Sequence, residues 1–82
     1  MKLILPRSAQ KELDSLEDNV VLRISQKLAK LAQDPYGSDS HKLTGNNNYR
    51  IRIGVYRVVY SIDKTSQTIT IIKIAHRREV YR

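Results

Sequence analysis

The 82-residue sequence contains no cysteine, tryptophan or phenylalanine, and only two prolines and three glycines. Without cysteine there is no disulfide, no thiolate metal site and no thiol nucleophile, so a reducing compartment is compatible with everything present. Two isolated histidines, His41 and His76, make a poor metal-ligand set. The N-terminal apolar run is only Leu3-Ile4-Leu5, too short for a signal segment or a membrane span. No repeat, linker or low-complexity tract interrupts the chain. No glycine-rich phosphate loop, paired carboxylate site or Ser-His-Asp set is present. A chain of this length removes only about 60% of its unfolded surface from water, enough for one layer of helix on one sheet. These absences describe a soluble, cytoplasmic domain spanning residues 1–82, with no cofactor, metal or membrane partner.

Acidic residues are scarce in one half only. Residues 1–41 carry six basic and six acidic side chains, whereas residues 42–82 carry nine basic and two acidic ones. The whole formal charge of +7 therefore lies in the second half. Such asymmetry points to a basic working surface and a polyanionic partner.

The hydrophobic pattern orders the elements. Residues 2–5 read as a strand stopped by Pro6. Ser8 is a candidate cap for a first helix with Ala9, Leu13 and Leu16 on one face, and Asp18 a candidate cap for a second. In that second helix Val21, Ile24, Leu28 and Leu31 form one buried stripe, with Gln26, Lys27 and Lys30 facing water. The helix should stop before Asp34-Pro35, with a loop over 36–40. Tyr49–Ile53 alternates with period two and leads through Gly54-Val55, a tight hairpin turn, into 56–62. Residues 63–68 turn the chain again, and 69–74 form the last strand, followed by the basic ending AHRREVYR. The expected fold is α+β: an N-terminal strand, a helical hairpin, then a three-strand antiparallel meander, with the helices on one face of the sheet.

The turn fixes a register. Ile53 faces Tyr56, Ile51 faces Val58 and Tyr49 faces Tyr60 on the face suited to burial, with Tyr49 and Tyr60 structural. On the other face Arg50 opposes Val59, and Arg52 opposes Arg57. Like charges directly opposite cost roughly 0.2–1 kcal/mol, which an anion between them would offset. A surface pair standing alone more often points both guanidinium groups into water. The register of the second hairpin sets Arg57 opposite Ile74, with His76 and Arg77 emerging beside it. Arg52, Arg57, His76 and Arg77 then converge on one end of one sheet face, with Arg50 and Arg78 nearby, and Lys42 extends the track. Clustered guanidinium forks match phosphate oxygens. His76 is the one side chain of the cluster whose type exchanges protons near neutral pH, so it is either a proton carrier or a hydrogen-bonding structural residue. Tyr81 either stacks on a base or anchors the tail on the sheet.

The segments Lys42-Leu43-Thr44-Gly45, Tyr49-Arg50-Ile51-Arg52-Ile53, Gly54-Val55-Tyr56-Arg57-Val58-Val59-Tyr60 and His76-Arg77-Arg78-Glu79-Val80-Tyr81 together resemble the RelE/ParE toxin superfamily, most of all its RelE branch of type II toxin–antitoxin modules. The resemblance covers the whole chain. It implies the same fold and a metal-independent endoribonuclease, an mRNA interferase that cuts mRNA in the ribosomal A site. In that chemistry the ribose 2′-OH attacks the adjacent phosphate, giving a 2′,3′-cyclic phosphate and a 5′-OH. By the same resemblance Arg57 holds the scissile phosphate, Arg77 is the general acid and Tyr81 orients the nucleotide. Arg50, Arg52, Lys42 and Arg78 bind RNA. Arg50 and Arg52 match positions that are lysine in the best-known members, one of them the proposed base. Arginine does not give up its proton in proteins, so His76, or a group of ribosomal RNA, is a candidate to take that role. The extra C-terminal helix of some relatives has no expected counterpart before Arg82. The partners implied are the ribosome, mRNA and a cognate antitoxin with an acidic or amphipathic segment that wraps the toxin. Two other functions fit the same fold: a ParE-like inhibitor of gyrase without nuclease activity, and a non-catalytic RNA-binding module.

Overall fold

The computed structural model describes residues 1–35, 40–43 and 48–76. The elements run β1 (Lys2–Ile4), α1 (Arg7–Asp14), α2 (Asp18–Gln33), β2 (Ser40–Lys42), β3 (Asn48–Ile53), β4 (Tyr56–Asp63) and β5 (Thr68–His76). The strands form one sheet in the order β1-β5-β4-β3-β2, antiparallel throughout except that β1 runs parallel to β5. The expected α+β architecture stands, with one strand more than the sequence suggested. No helix among the described residues is long and apolar enough to cross a membrane.

Both helices begin earlier than the expected caps allow: α1 starts at Arg7, one residue before Ser8, and α2 starts at Asp18 itself. Pro6 precedes α1 with φ −59° and its carbonyl accepts the first helical bond, from Gln10 N–H at 2.8 Å. The ring fixes a φ from which a helix can start at once, so Ser8 already lies inside it. Glu17 likewise precedes α2, and neither residue caps with its side chain. Asp18 instead sits in the first turn, where a carboxylate suits the positive end of the helix dipole. At the other end α2 stops at Gln33, because Asp34 precedes Pro35 and is held out of helical backbone at φ −142°, ψ 79°.

The apolar stripes of the helices face the sheet. Ala9 and Leu13 of α1 and Ile24, Leu28 and Leu31 of α2 are buried against Ile51, Val58, Tyr60, Ile69 and Ile71. Tyr60 is wholly buried and stacks on Tyr49, with ring centroids 5.8 Å apart. Its hydroxyl donates to the Pro35 carbonyl at 3.2 Å and is also bonded to the Ser40 hydroxyl. A carbonyl can only accept, so the Ser40 hydroxyl is the donor to the phenol oxygen. One tyrosine thus ties the end of α2 to the start of β2, and its structural role is as expected.

Candidate nucleic-acid interface

The first hairpin has the expected register: Ile53 pairs with Tyr56, Ile51 with Val58, Arg52 with Arg57 and Arg50 with Val59. Gly54 has φ +62°, the left-handed backbone required at the first position of this tight turn. Arg52 and Arg57 therefore stand directly across from each other on the face away from the helices. They are not alike. Arg52 is exposed, whereas Arg57 is only 5% exposed, packed among its neighbours with Ala75 opposite on β5. The arrangement in which both guanidinium groups splay into water, the reading for a pair standing alone, does not hold, since Arg57 is buried and only Arg52 is exposed. Arg50, half-buried, lies two residues along β3 on the same face.

The second hairpin departs from the expected register. Near the turn the pairs are as expected, from Asp63 with Thr68 to Tyr60 with Ile71. A bulge then intervenes: Val59 pairs with Lys73, Val58 with Ile74 and Arg57 with Ala75, not Ile74. Ile72 is the extra residue and is 43% exposed. Without the bulge Lys73 would point into the core and Ile74 out of it. The bulge restores both, at the cost of one unpaired residue. Past the end of β1 the edge of β5 is covered from α1, where Glu12 Oε1 accepts the Ile74 N–H at 3.1 Å and Oε2 pairs with Lys73 Nζ at 3.3 Å.

The shift relocates His76. It pairs with Tyr56, on the helix-covered face, and meets that ring edge-on with centroids 5.6 Å apart. A depression lined by Glu12, Ser15, Leu16, Tyr56 and His76 lies there. The expected position beside Arg57 is thus corrected, because opposite residues of a sheet share a face and Arg57 is on the other one. Lys42 is corrected for the same reason: it lies in β2, a strand the pattern does not predict, pairs with Tyr49 and so belongs to the covered side. Its neighbour His41 takes the open side, paired with Arg50. Arg77, Arg78 and Tyr81 lie outside the described residues.

Two features escaped the sequence reading. His41 was set aside as a lone histidine, and only the β2 register puts it beside Arg50. Arg23 of α2 was not singled out, yet its Nη2 stands 3.3 Å from where a Cβ on Gly54 would be. Helical periodicity places it off the apolar stripe, which is the one signal that could have marked it. Among the described residues no group of three or more His, Asp or Glu side chains could hold a metal ion.

The family model for the ParE toxin of type II toxin–antitoxin systems, parDE, matches residues 3–81. The chain belongs to the RelE/ParE toxin family. It is a toxin of a type II toxin–antitoxin system. The solved structures this RelE/ParE toxin resembles include the isolated RelE toxin of Escherichia coli, 26% identical, covering 98% of this chain and 89% of the other at a TM-score of 0.81. The archaeal RelE–RelB complex from Pyrococcus horikoshii is 27% identical over 93% of each chain, with a TM-score of 0.79. The RelBE2 toxin–antitoxin complex of Mycobacterium tuberculosis, 22% identical over 93% of this chain and 96% of the other, shares the fold at a TM-score of 0.83. No curated protein matches the sequence.

Proposed function

We propose that this toxin is an mRNA interferase, a metal-independent endoribonuclease that cuts mRNA in the ribosomal A site and so arrests translation. The observation that carries the reading is the Arg52–Arg57 pair, in which like charges face each other and one of them is held buried. A fixed guanidinium is a preorganised donor. Aimed at a phosphodiester, it stabilises charge that grows on the phosphoryl oxygens without first having to be ordered. Arg52 and Arg50 gather the flanking phosphates.

In the reaction the 2′-oxygen forms a bond to phosphorus and the bond to the 5′-oxygen breaks, leaving a 2′,3′-cyclic phosphate and a 5′-OH. Arg77 gives a proton to the departing 5′-oxygen, and Tyr81 stacks on the nucleotide. An arginine can serve as that acid although it cannot serve as a base, because an alkoxide is more basic than a guanidine. The 2′-OH proton needs another acceptor. His76 faces away from Arg57, so the imidazole on the arginine face is His41, and it shares this role with groups of ribosomal RNA. The partner is a cognate antitoxin, as in the RelE–RelB complex from Pyrococcus horikoshii.

Induction in growing cells, with mapping of mRNA ends, tests the reading. The expected result is growth arrest with translation-dependent cuts at codon positions. The Arg57→Ala variant should be folded and lose cleavage by about 10²–10³-fold, the scale of removing one such donor. Unchanged cleavage in that variant would remove Arg57 from the site. A ParE-like reading, inhibition of gyrase without nuclease chemistry, is favoured by the description of the matching family model. Intact mRNA together with altered plasmid supercoiling would establish it instead.

A further inference from the structure

A groove of ≈ 440 Å³ lies between α2 and the β3–β4 turn, lined by Arg23, Gln26, Lys27, Lys30, Arg52, Ile53 and Gly54. Four of its seven lining residues are cations, and none is a carboxylate; Glu17 lines the neighbouring depression on the other side of Arg23. Three of the cations come from the half of the sequence whose net charge is zero. The charge balance of that half hides them because its acids lie elsewhere.

We infer that this groove is a second phosphate-backbone site, which continues the arginine track from the open face around the end of the sheet and onto α2. It rests on the reading of the protein as one that acts on RNA only for the identity of the polyanion. Arg52 belongs to both surfaces, since it faces Arg57 across the hairpin and also lines the groove. Arg23, Lys27 and Lys30 follow one another at intervals of four and three residues, so they form a row along one side of the helix. Their spacing along the axis is about 6 and 4.5 Å, a ladder suited to successive charges on a strand. Gly54 lets the ladder reach the sheet, because a side chain there would crowd the Arg23 guanidinium.

The lining also argues against a peptide occupant. Peptides dock through apolar anchors or by adding a strand to a sheet edge. The only apolar side chain in the groove, Ile53, is buried. On the β2 side, β3 is already paired with β2 at Tyr49, Arg50 and Ile51, so the middle of that edge is closed to an added strand.

Binding of a fluorescent 12-nucleotide RNA carrying 2′-O-methyl groups tests this inference, since such an RNA cannot be cleaved and the result is independent of catalysis. Anisotropy titrations between 0.05 and 1 M salt, all values here about what such a measurement requires, give the number of phosphate contacts as the slope of log affinity against log salt. Lys27→Ala with Lys30→Ala should lower that slope by about 1.4, so that the variant and the parent converge near 1 M salt and differ by about 25-fold at 0.1 M. Lys27→Gln with Lys30→Gln should behave alike, and far-ultraviolet circular dichroism checks that both fold. Lys2→Ala with Lys11→Ala removes the same charge away from the groove and should leave the slope nearly unchanged. An unchanged slope in the groove variants, an equal loss in the control, or no binding by the parent at 0.05 M would each overturn the proposal. Polyglutamate that binds as tightly as RNA, with the same sensitivity to Lys27 and Lys30, would overturn it in favour of an acidic protein. None of these outcomes bears on mRNA cleavage in cells, which can fail or succeed separately.

Discussion

On the covered face of the sheet Val58, Tyr60, Ile69 and Ile71 are wholly shut off from water beneath two helices. On the open face the same strands present Arg57, Val59, Ser61, Thr70 and Lys73, with Arg50, Arg52 and His41 beside them. Apart from the Tyr60 hydroxyl, the first set is interchangeable in kind: apolar residues of suitable volume would hold the helices. The second set is not, because replacing an arginine there alters a charge and a fork of donors that no aliphatic side chain supplies. The difference separates what the strands need in order to fold from what they carry for a partner. Arg57 stands across that division, since it is on the open face and yet buried.

The strongest challenge to this division is Ile71→Ala. It should cost about 2–5 kcal/mol in urea unfolding, a large share of the stability of so small a domain. A cost below about 1 kcal/mol would mean that the covered face is not the main source of stability. Glu12→Ala should come next, at about 1–3 kcal/mol, because it leaves the Ile74 N–H at the bulge without its acceptor. Tyr60→Phe should cost about 1 kcal/mol by removing the link between Pro35 and Ser40. Arg50→Ala with Arg52→Ala should change the unfolding free energy by no more than about 0.5 kcal/mol, since these side chains serve the open face. A larger loss would show that the arginine track has a structural function as well.

The histidines offer a finer comparison. Under the proposed chemistry His41→Gln should alter the pH profile of cleavage on ribosomes and His76→Gln should not, because only His41 shares the arginine face. The opposite result would restore the position that the sequence had suggested for His76. A last and smaller effect concerns acid. Hydrogen bonds from Ser66, and then from the Thr65 N–H, hold the Asp63 carboxyl below the ordinary carboxylate range. A carboxylate lowered in this way stabilises the fold at neutral pH, and its contribution is lost as pH falls below about 4 and through the folded-state value. Asp63→Asn should therefore flatten the acid limb of a stability–pH curve while leaving the curve's shape above pH 5 nearly unaltered.

The first hairpin was legible because two residues, Gly54 and Val55, fix both the turn and every pair that follows. The second was legible only as far as Tyr60. Its four-residue turn specifies register less tightly, and the strand changes phase midway. The signal for that change was present: Ile71 and Ile72 are adjacent apolar residues, and strict alternation beyond them would send Lys73 into the core. The cost of burying an ammonium group predicts a bulge there, and with it the transfer of His76 to the other face. β2 carries no such signal, as Ser40, His41 and Lys42 have neither alternation nor β-branched side chains. It is a strand because β3 offers an edge, a tertiary cause that local pattern does not record. The groove on α2 was hidden for a related reason, since net charge counts residues without regard to the helix face on which they lie.

The parallel pairing of Lys2–Ile4 with Thr68–Thr70 has a consequence in time. β1 has a partner made more than sixty residues later, and that partner also fills the gap between β1 and β4. Until it is synthesised, β4 has a bare edge and α1 lacks the strand that it packs against. The contact closes a loop of more than sixty residues, so it is both late and slow relative to the hairpins. A nascent chain in which Thr68–His76 has not yet joined the sheet would then lack a finished arginine surface, so the open face is assembled only when β5 pairs with β4. Nascent chains arrested before Thr68 are expected to be digested rapidly by protease, whereas chains released with β5 complete should resist it.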